Sequence, residues 1–142
     1  MTTEKSEKFR FLKHTADAKI QAYGKNIEEA FSNAALAMFS IMVNTKSIEP
    51  KITKKIKVNG NDKNALLYNF LEELLFLLDS EGFLLNRVKK IKISENSLEA
   101  EVTGDTASEK YECHGEVKAV TYNDMEIKET KEKTTVQVVF DL

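Results

Sequence analysis

At 142 residues the chain fits one domain and is long enough to bury a substantial core without disulfide or metal staples. Its 21 Lys and Arg against 23 Asp and Glu leave a net charge of −2, which offers no overall attraction to nucleic acid or an acidic membrane and argues against a dedicated nucleic-acid binder. The single cysteine, Cys113, excludes an intramolecular disulfide and a Cys-rich zinc site, and points to a reducing compartment.

Cys113 reads as a small semi-apolar side chain that packs, rather than as a catalytic thiol. No apolar run approaches the roughly 20 residues needed to span a bilayer. The start of the chain is polar and charged, without the apolar stretch of a secretory signal. A flexible leader over residues 1–8, one domain over residues 9–142, no membrane contact and a cytoplasmic location are the expectations.

In chain order, Asp17 to Tyr23 alternates, with Ala18, Ile20 and Ala22 on one face, as a half-buried strand does. Gly24 breaks it. Asn26 with Glu29 three residues on predicts an N-cap and its capping-box partner. Ile27, Ala30, Phe31, Ala34, Met38, Ile41 and Met42 follow at helical spacing to about Val43. Ile52 to Asn59 predicts a strand, and Asn59-Gly60-Asn61-Asp62 turns into a second helix. That helix carries Leu67, Phe70, Leu71, Leu74, Leu75 and Leu78 on one face. Leu66 and Leu77 widen the stripe, which places this helix at the centre of the core.

After Gly82 the pattern is all strand. Val88–Ser94 and Leu98–Thr103 predict a hairpin around Glu95-Asn96. Glu116–Tyr122 is a separate run, and Met125–Thr130 with Thr135–Phe140 predict a hairpin around Glu132-Lys133. The fold class expected is α+β: a single domain with two helices packed on a mostly antiparallel β-sheet, curved or split into two layers.

Asp17 opens a strand and Asp141 closes the last one. Taken alone, two strand-end carboxylates are ordinarily solvated. If those strands pair, both carboxylates and the terminal carboxyl of Leu142 meet in one place. Carboxylates about 4 Å apart repel by about 4 kcal/mol at an effective dielectric of roughly 20, so such a cluster needs a proton, a lysine or a metal. Oxygen-only donors favour Ca²⁺ or Mg²⁺ over zinc. His14 and His114 lack any zinc-helix spacing and read as hydrogen-bonded structural side chains, with His14 as a partner that could orient Asp17. Lys118 reads either as a solvated strand lysine or as a cation beside the acidic pair. Lys51, Lys54, Lys55 and Lys57 read as the wet face of a strand, without the aromatic residues of a single-strand RNA platform. The chain holds no P-loop, dinucleotide fingerprint, nucleophile elbow or Cys-His dyad.

Phe11-Leu12-Lys13-His14-Thr15-Ala16-Asp17-Ala18-Lys19-Ile20 and Gly24-Lys25-Asn26-Ile27-Glu28-Glu29-Ala30-Phe31, with Leu66-Leu67 and Leu71-Glu72-Glu73-Leu74-Leu75, resemble segments of the archease family. The resemblance continues through Glu116-Val117-Lys118-Ala119-Val120-Thr121-Tyr122 and ends at Asp141-Leu142. It covers nearly the whole chain from about Phe9. It implies a non-enzymatic protein cofactor of the RtcB-type RNA-splicing ligase, which promotes guanylylation and multiple turnover in tRNA splicing and RNA repair. It further implies a metal site at Asp17, Asp141 and Leu142, with Ca²⁺ as the ion and Mg²⁺ or Mn²⁺ as alternatives, and a role in activation for Lys118. The partner implied is the ligase, with tRNA or other RNA reached through it.

Two positions depart from the family's habit. The usual terminal Ile is Leu142 here, which keeps the same main-chain oxygens, and the usual histidine after the Thr-Tyr pair is Asn123. The competing reading is a stand-alone metal-dependent phosphoester hydrolase, for which no nucleophile or general base is evident near Asp17 or Asp141. An RNA-binding or chaperone-like module is disfavoured by the net charge and the missing aromatic platform.

Overall fold

Two antiparallel sheets and two helices make up the computed structural model, which describes residues 7–12 and 17–142. The strands are β1 (Phe9–Leu12), β2 (Ala18–Gly24), β3 (Ile52–Asn59), β4 (Phe83–Ser94), β5 (Ser97–Thr106), β6 (Ala119–Glu129) and β7 (Thr134–Asp141). The helices are α1 (Ile27–Ser40) and α2 (Lys63–Glu81), with a short 3₁₀ turn at Thr45–Ser47. One sheet has the order β1-β2-β7-β6 and the other β3-β5-β4. The α+β class holds, with the sheet split into two layers.

Helix starts and stops follow from side-chain chemistry. Asn26 accepts the Glu29 N–H at 2.9 Å, and the Glu29 carboxylate accepts the Lys25 N–H at 2.6 Å. The first bond satisfies a donor that the first turn leaves without a helical partner, and the second ties the residue before the cap back to that turn. Asp62 accepts the Ala65 N–H at 2.8 Å to start α2. Gly82, at φ 70°, ends α2 in the left-handed conformation that a Cβ disfavours. Both helices touch both sheets: α1 packs on β2, β7 and β4, while α2 packs on β6 and β3. Leu66, Leu67, Phe70, Leu71, Leu74, Leu75 and Leu77 are all buried. At about 1.5–3 kcal/mol for each fully buried side chain, this face ties α2 into the core far more strongly than helix propensity does.

Several expectations are corrected. Phe9–Leu12, for which the residue pattern predicts no element, forms the edge strand β1 paired to β2. α1 stops at Ser40, and Ile41 to Val43 continue as a turn. The runs at 116–122 and 125–130 are one strand: β6 begins at Ala119 and runs to Glu129 through an irregularity between Thr121 and Glu126. Asp124 sits there at φ 53°, which bulges the strand without ending it. Cys113 is exposed rather than packed. No helix among the described residues is long and apolar enough to cross a membrane.

Candidate functional site

β2 and β7 pair antiparallel, with Ala18 opposite Phe140. The recorded pairing ends there; Asp17 and Asp141 are the next residues along the two chains, so their positions adjoin this end of the ladder. Asp17 is half-buried just before β2, and Asp141 is exposed at the end of β7. On the other flank of β7, Ala119 of β6 is the partner of Asp141, and the Lys118 N–H donates to the Asp141 carbonyl at 2.7 Å. Three sequence candidates thus gather at one end of one sheet: Asp17, Lys118 and Asp141, with Leu142 next in the chain. Lys118 and Leu142 are exposed. His14 lies outside the described residues. His114 is exposed and stands apart, its main-chain N–H donating to Met42 at 2.8 Å.

The loop between β5 and β6 delivers Lys118 to this end because it is fastened on the way. Tyr111 is buried; its hydroxyl donates to Asp105 at 2.6 Å and accepts the Glu49 N–H at 3.2 Å. The hydroxyl beside Asp105, and then the Thr106 N–H, hold the Asp105 carboxyl below its ordinary pKa. Gly115 passes so close to α1's exit that a Cβ there would lie 2.5 Å from the Ile41 carbonyl oxygen. Any larger residue would push the loop away. Val117 is buried two residues later, which sets the last step before Lys118.

Sequence reasoning missed Glu72. Its carboxylate accepts the Val120 N–H at 3.0 Å. β6 is an edge strand, so this main-chain donor has no neighbouring strand to pair with, and a helix side chain supplies the acceptor. The same helix holds β6 twice more. Tyr68 stacks on Tyr122 with ring centroids 4.3 Å apart and planes at 5°, and Lys63 pairs with Glu129 at 2.6 Å. Although Tyr122 is exposed, partial desolvation, then the Tyr68 and Asp62 neighbours, raise its phenol above the ordinary pKa. The only signal in the sequence was the helical spacing of Tyr68 and Glu72, four residues apart on one face. Asn123 is exposed in the β6 irregularity, its N–H bonded to the Thr121 hydroxyl at 3.2 Å.

Among the described residues no group of three or more His, Cys, Asp or Glu side chains gathers to hold a metal. The two aspartates and the main-chain oxygens at Asp141 and Leu142 are hard donors, the kind Ca²⁺ or Mg²⁺ takes, and both ions complete their shells with water. In donor type the residues suit a hard cation better than zinc, which prefers imidazole and thiolate.

Comparison with known proteins finds relatives in both sequence and fold. A family model described as the Archease protein family (MTH1598/TM1083) matches residues 9–142. The protein archease of Thermococcus kodakarensis is 46% identical over 124 residues, covering 84% of this chain and 87% of that protein. The protein archease of Methanosarcina barkeri is 37% identical over 145 residues, covering 99% of each. The solution structure of Methanobacterium thermoautotrophicum protein 1598 superposes with a TM-score of 0.82 at 38% identity, over 95% of this chain and 99% of that one. A crystal structure from Thermotoga maritima, described as an archease and possible chaperone, shares the fold at a TM-score of 0.64 and 17% identity, covering 100% of this chain and 99% of that one.

Proposed function

Because the chain belongs to the archease family, we propose that it is a non-enzymatic, metal-binding activator of the RtcB-type RNA-splicing ligase. In this reading it promotes the ligase's guanylylation and multiple turnover in tRNA splicing and RNA repair, in the cytoplasm, and meets tRNA through the ligase. The observation that supports the reading most is the convergence of Asp17, Lys118 and Asp141 on one end of the β2-β7-β6 ladder, next to Leu142.

Asp17, Asp141 and the oxygens of Leu142 would hold Ca²⁺, with Mg²⁺ or Mn²⁺ as alternatives, and His14 would orient Asp17. A bound divalent ion would supply positive charge that offsets the repulsion between carboxylates. The Lys118 N–H fixes the Asp141 carbonyl, and so keeps the end of β7 aligned with β6. The exposed Lys118 ammonium is free to meet an anionic group of the partner. Glu72 and the Tyr68–Tyr122 stack hold β6 rigid on α2, and rigid elements give more reproducible contact geometry than loops do.

The test has two arms. Alone with labelled RNA, ATP and GTP under Mg²⁺, Mn²⁺ or Ca²⁺, the protein should turn over nothing. With the ligase, it should raise ligated product above one equivalent per ligase molecule. Hydrolysis by the lone protein that survives repurification and disappears in Asp17→Ala would replace the activator reading with the metal-dependent hydrolase.

A further inference from the structure

The outward face of the β3-β5-β4 sheet concentrates positive charge that the overall balance of −2 hides. The registers of the two strand pairs set Lys55 and Lys90 on either side of Glu101, and Lys57 and Lys92 on either side of Glu99. Directly opposed residues share a face, and their neighbours Ile56, Ala100 and Val102 are buried. Four lysines and two glutamates therefore stand outward in two Lys-Glu-Lys rows, lining a shallow trough of about 670 Å³. Exposed Arg87 lies beyond the first row, paired with Thr103. Lys54, from the same basic stretch as Lys55 and Lys57, is instead paired with Glu81 of α2. Among the described residues no ion pair engages Lys55, Lys57, Lys90 or Lys92.

We propose that this face docks the phosphodiester backbone of a nucleic-acid strand. Lysines two residues apart on a strand are about 6.6 Å apart, and the two outer strands run about 9.6 Å apart. That is a regular lattice of point charges, suited to a ligand with regularly repeated charge rather than to one small anion. Lysine is a compact, mobile cation that binds phosphate without demanding one geometry. A protein partner would need a buried apolar anchor, and the large apolar side chains found exposed are Phe11, Phe76, Tyr122 and Leu142. None belongs to this sheet. Lysines on the edge strands β3 and β4 also discourage pairing with another sheet, but that role needs neither alignment on one face nor matching rows. The central glutamates confine phosphates to the two lysine-bearing strands. The inference does not depend on the ligase reading.

Fluorescence anisotropy with short labelled single-stranded RNA and DNA, from low to physiological salt, tests this face. Both strands should bind, because the backbone is what is read. At about −0.7 per phosphate contact, four contacts give a log–log salt slope of about −2.8, falling to about −1.4 in Lys90→Gln/Lys92→Gln. Lys55→Gln/Lys57→Gln, on the opposite strand, should lose as much. Glu99→Gln/Glu101→Gln should bind more tightly than the parent. Thermal unfolding of each variant identifies any that misfolds, and either lysine pair alone is enough to decide the outcome. No binding by the parent at low salt overturns the proposal. So does unchanged binding in a folded lysine variant, or equal, lysine-dependent binding of a polyglutamate peptide.

Discussion

Asp17 and Asp141 come from opposite ends of the sequence, and only the β2–β7 register brings their positions together. If both ligate one hard cation, calorimetry with Ca²⁺ should show binding to the parent that is lost in Asp17→Ala and again in Asp141→Ala, both still folded. Binding that persists in either would separate the two aspartates. Lys118 makes its structural contribution through its main-chain N–H, which Lys118→Ala keeps. The exposed side chain adds about 0.5 kcal/mol or less to stability. Thermal unfolding should therefore be nearly unchanged while ligase activation falls by an order of magnitude or more. A variant that activates like the parent would leave Lys118 as an ordinary solvated lysine.

The β5–β6 loop and the β6 edge position these residues, and the loop carries its own pH signature. Asp105 has its pKa lowered from 3.8, chiefly by the Tyr111 hydroxyl. A carboxyl that loses protons more readily when folded stabilises the fold fully above its unfolded pKa, and loses that contribution as pH falls through the folded value. Tyr111→Phe should therefore unfold at a lower temperature than the parent at neutral pH, and the gap should narrow below pH 3.8. A gap independent of pH would mean that the hydroxyl matters only through the Glu49 N–H.

What can be read from residues alone varies element by element. α2 is legible because its apolar side chains repeat at helical spacing, and the Asn26 and Asp62 caps stand at the expected helix starts. β6 reads as two strands because Asn123-Asp124 looks like a turn, and Asp124 does adopt a turn-like φ. The Glu72 acceptor is hidden because its partner is a main-chain N–H 48 residues away. The alignment of Lys55 and Lys57 with Lys90 and Lys92 is equally invisible, since it depends on a register set partly by bulges in β4.

Across the whole molecule, charge is divided between two sheets. The end of the β1-β2-β7-β6 sheet carries Asp17 and Asp141 next to Leu142, and the outward face of the β3-β5-β4 sheet carries the lysine rows. Helices that touch both sheets join them. Complementary charge mainly sets orientation and on-rate in association, so this division suits a small protein that meets a larger partner in one orientation. The most direct measurement is single-turnover guanylylation of the ligase with GTP and Mn²⁺, followed with and without this protein. A faster rate is expected with the parent protein, and little gain with Asp141→Ala. An identical rate in the presence and absence of the parent protein would contradict the activator role.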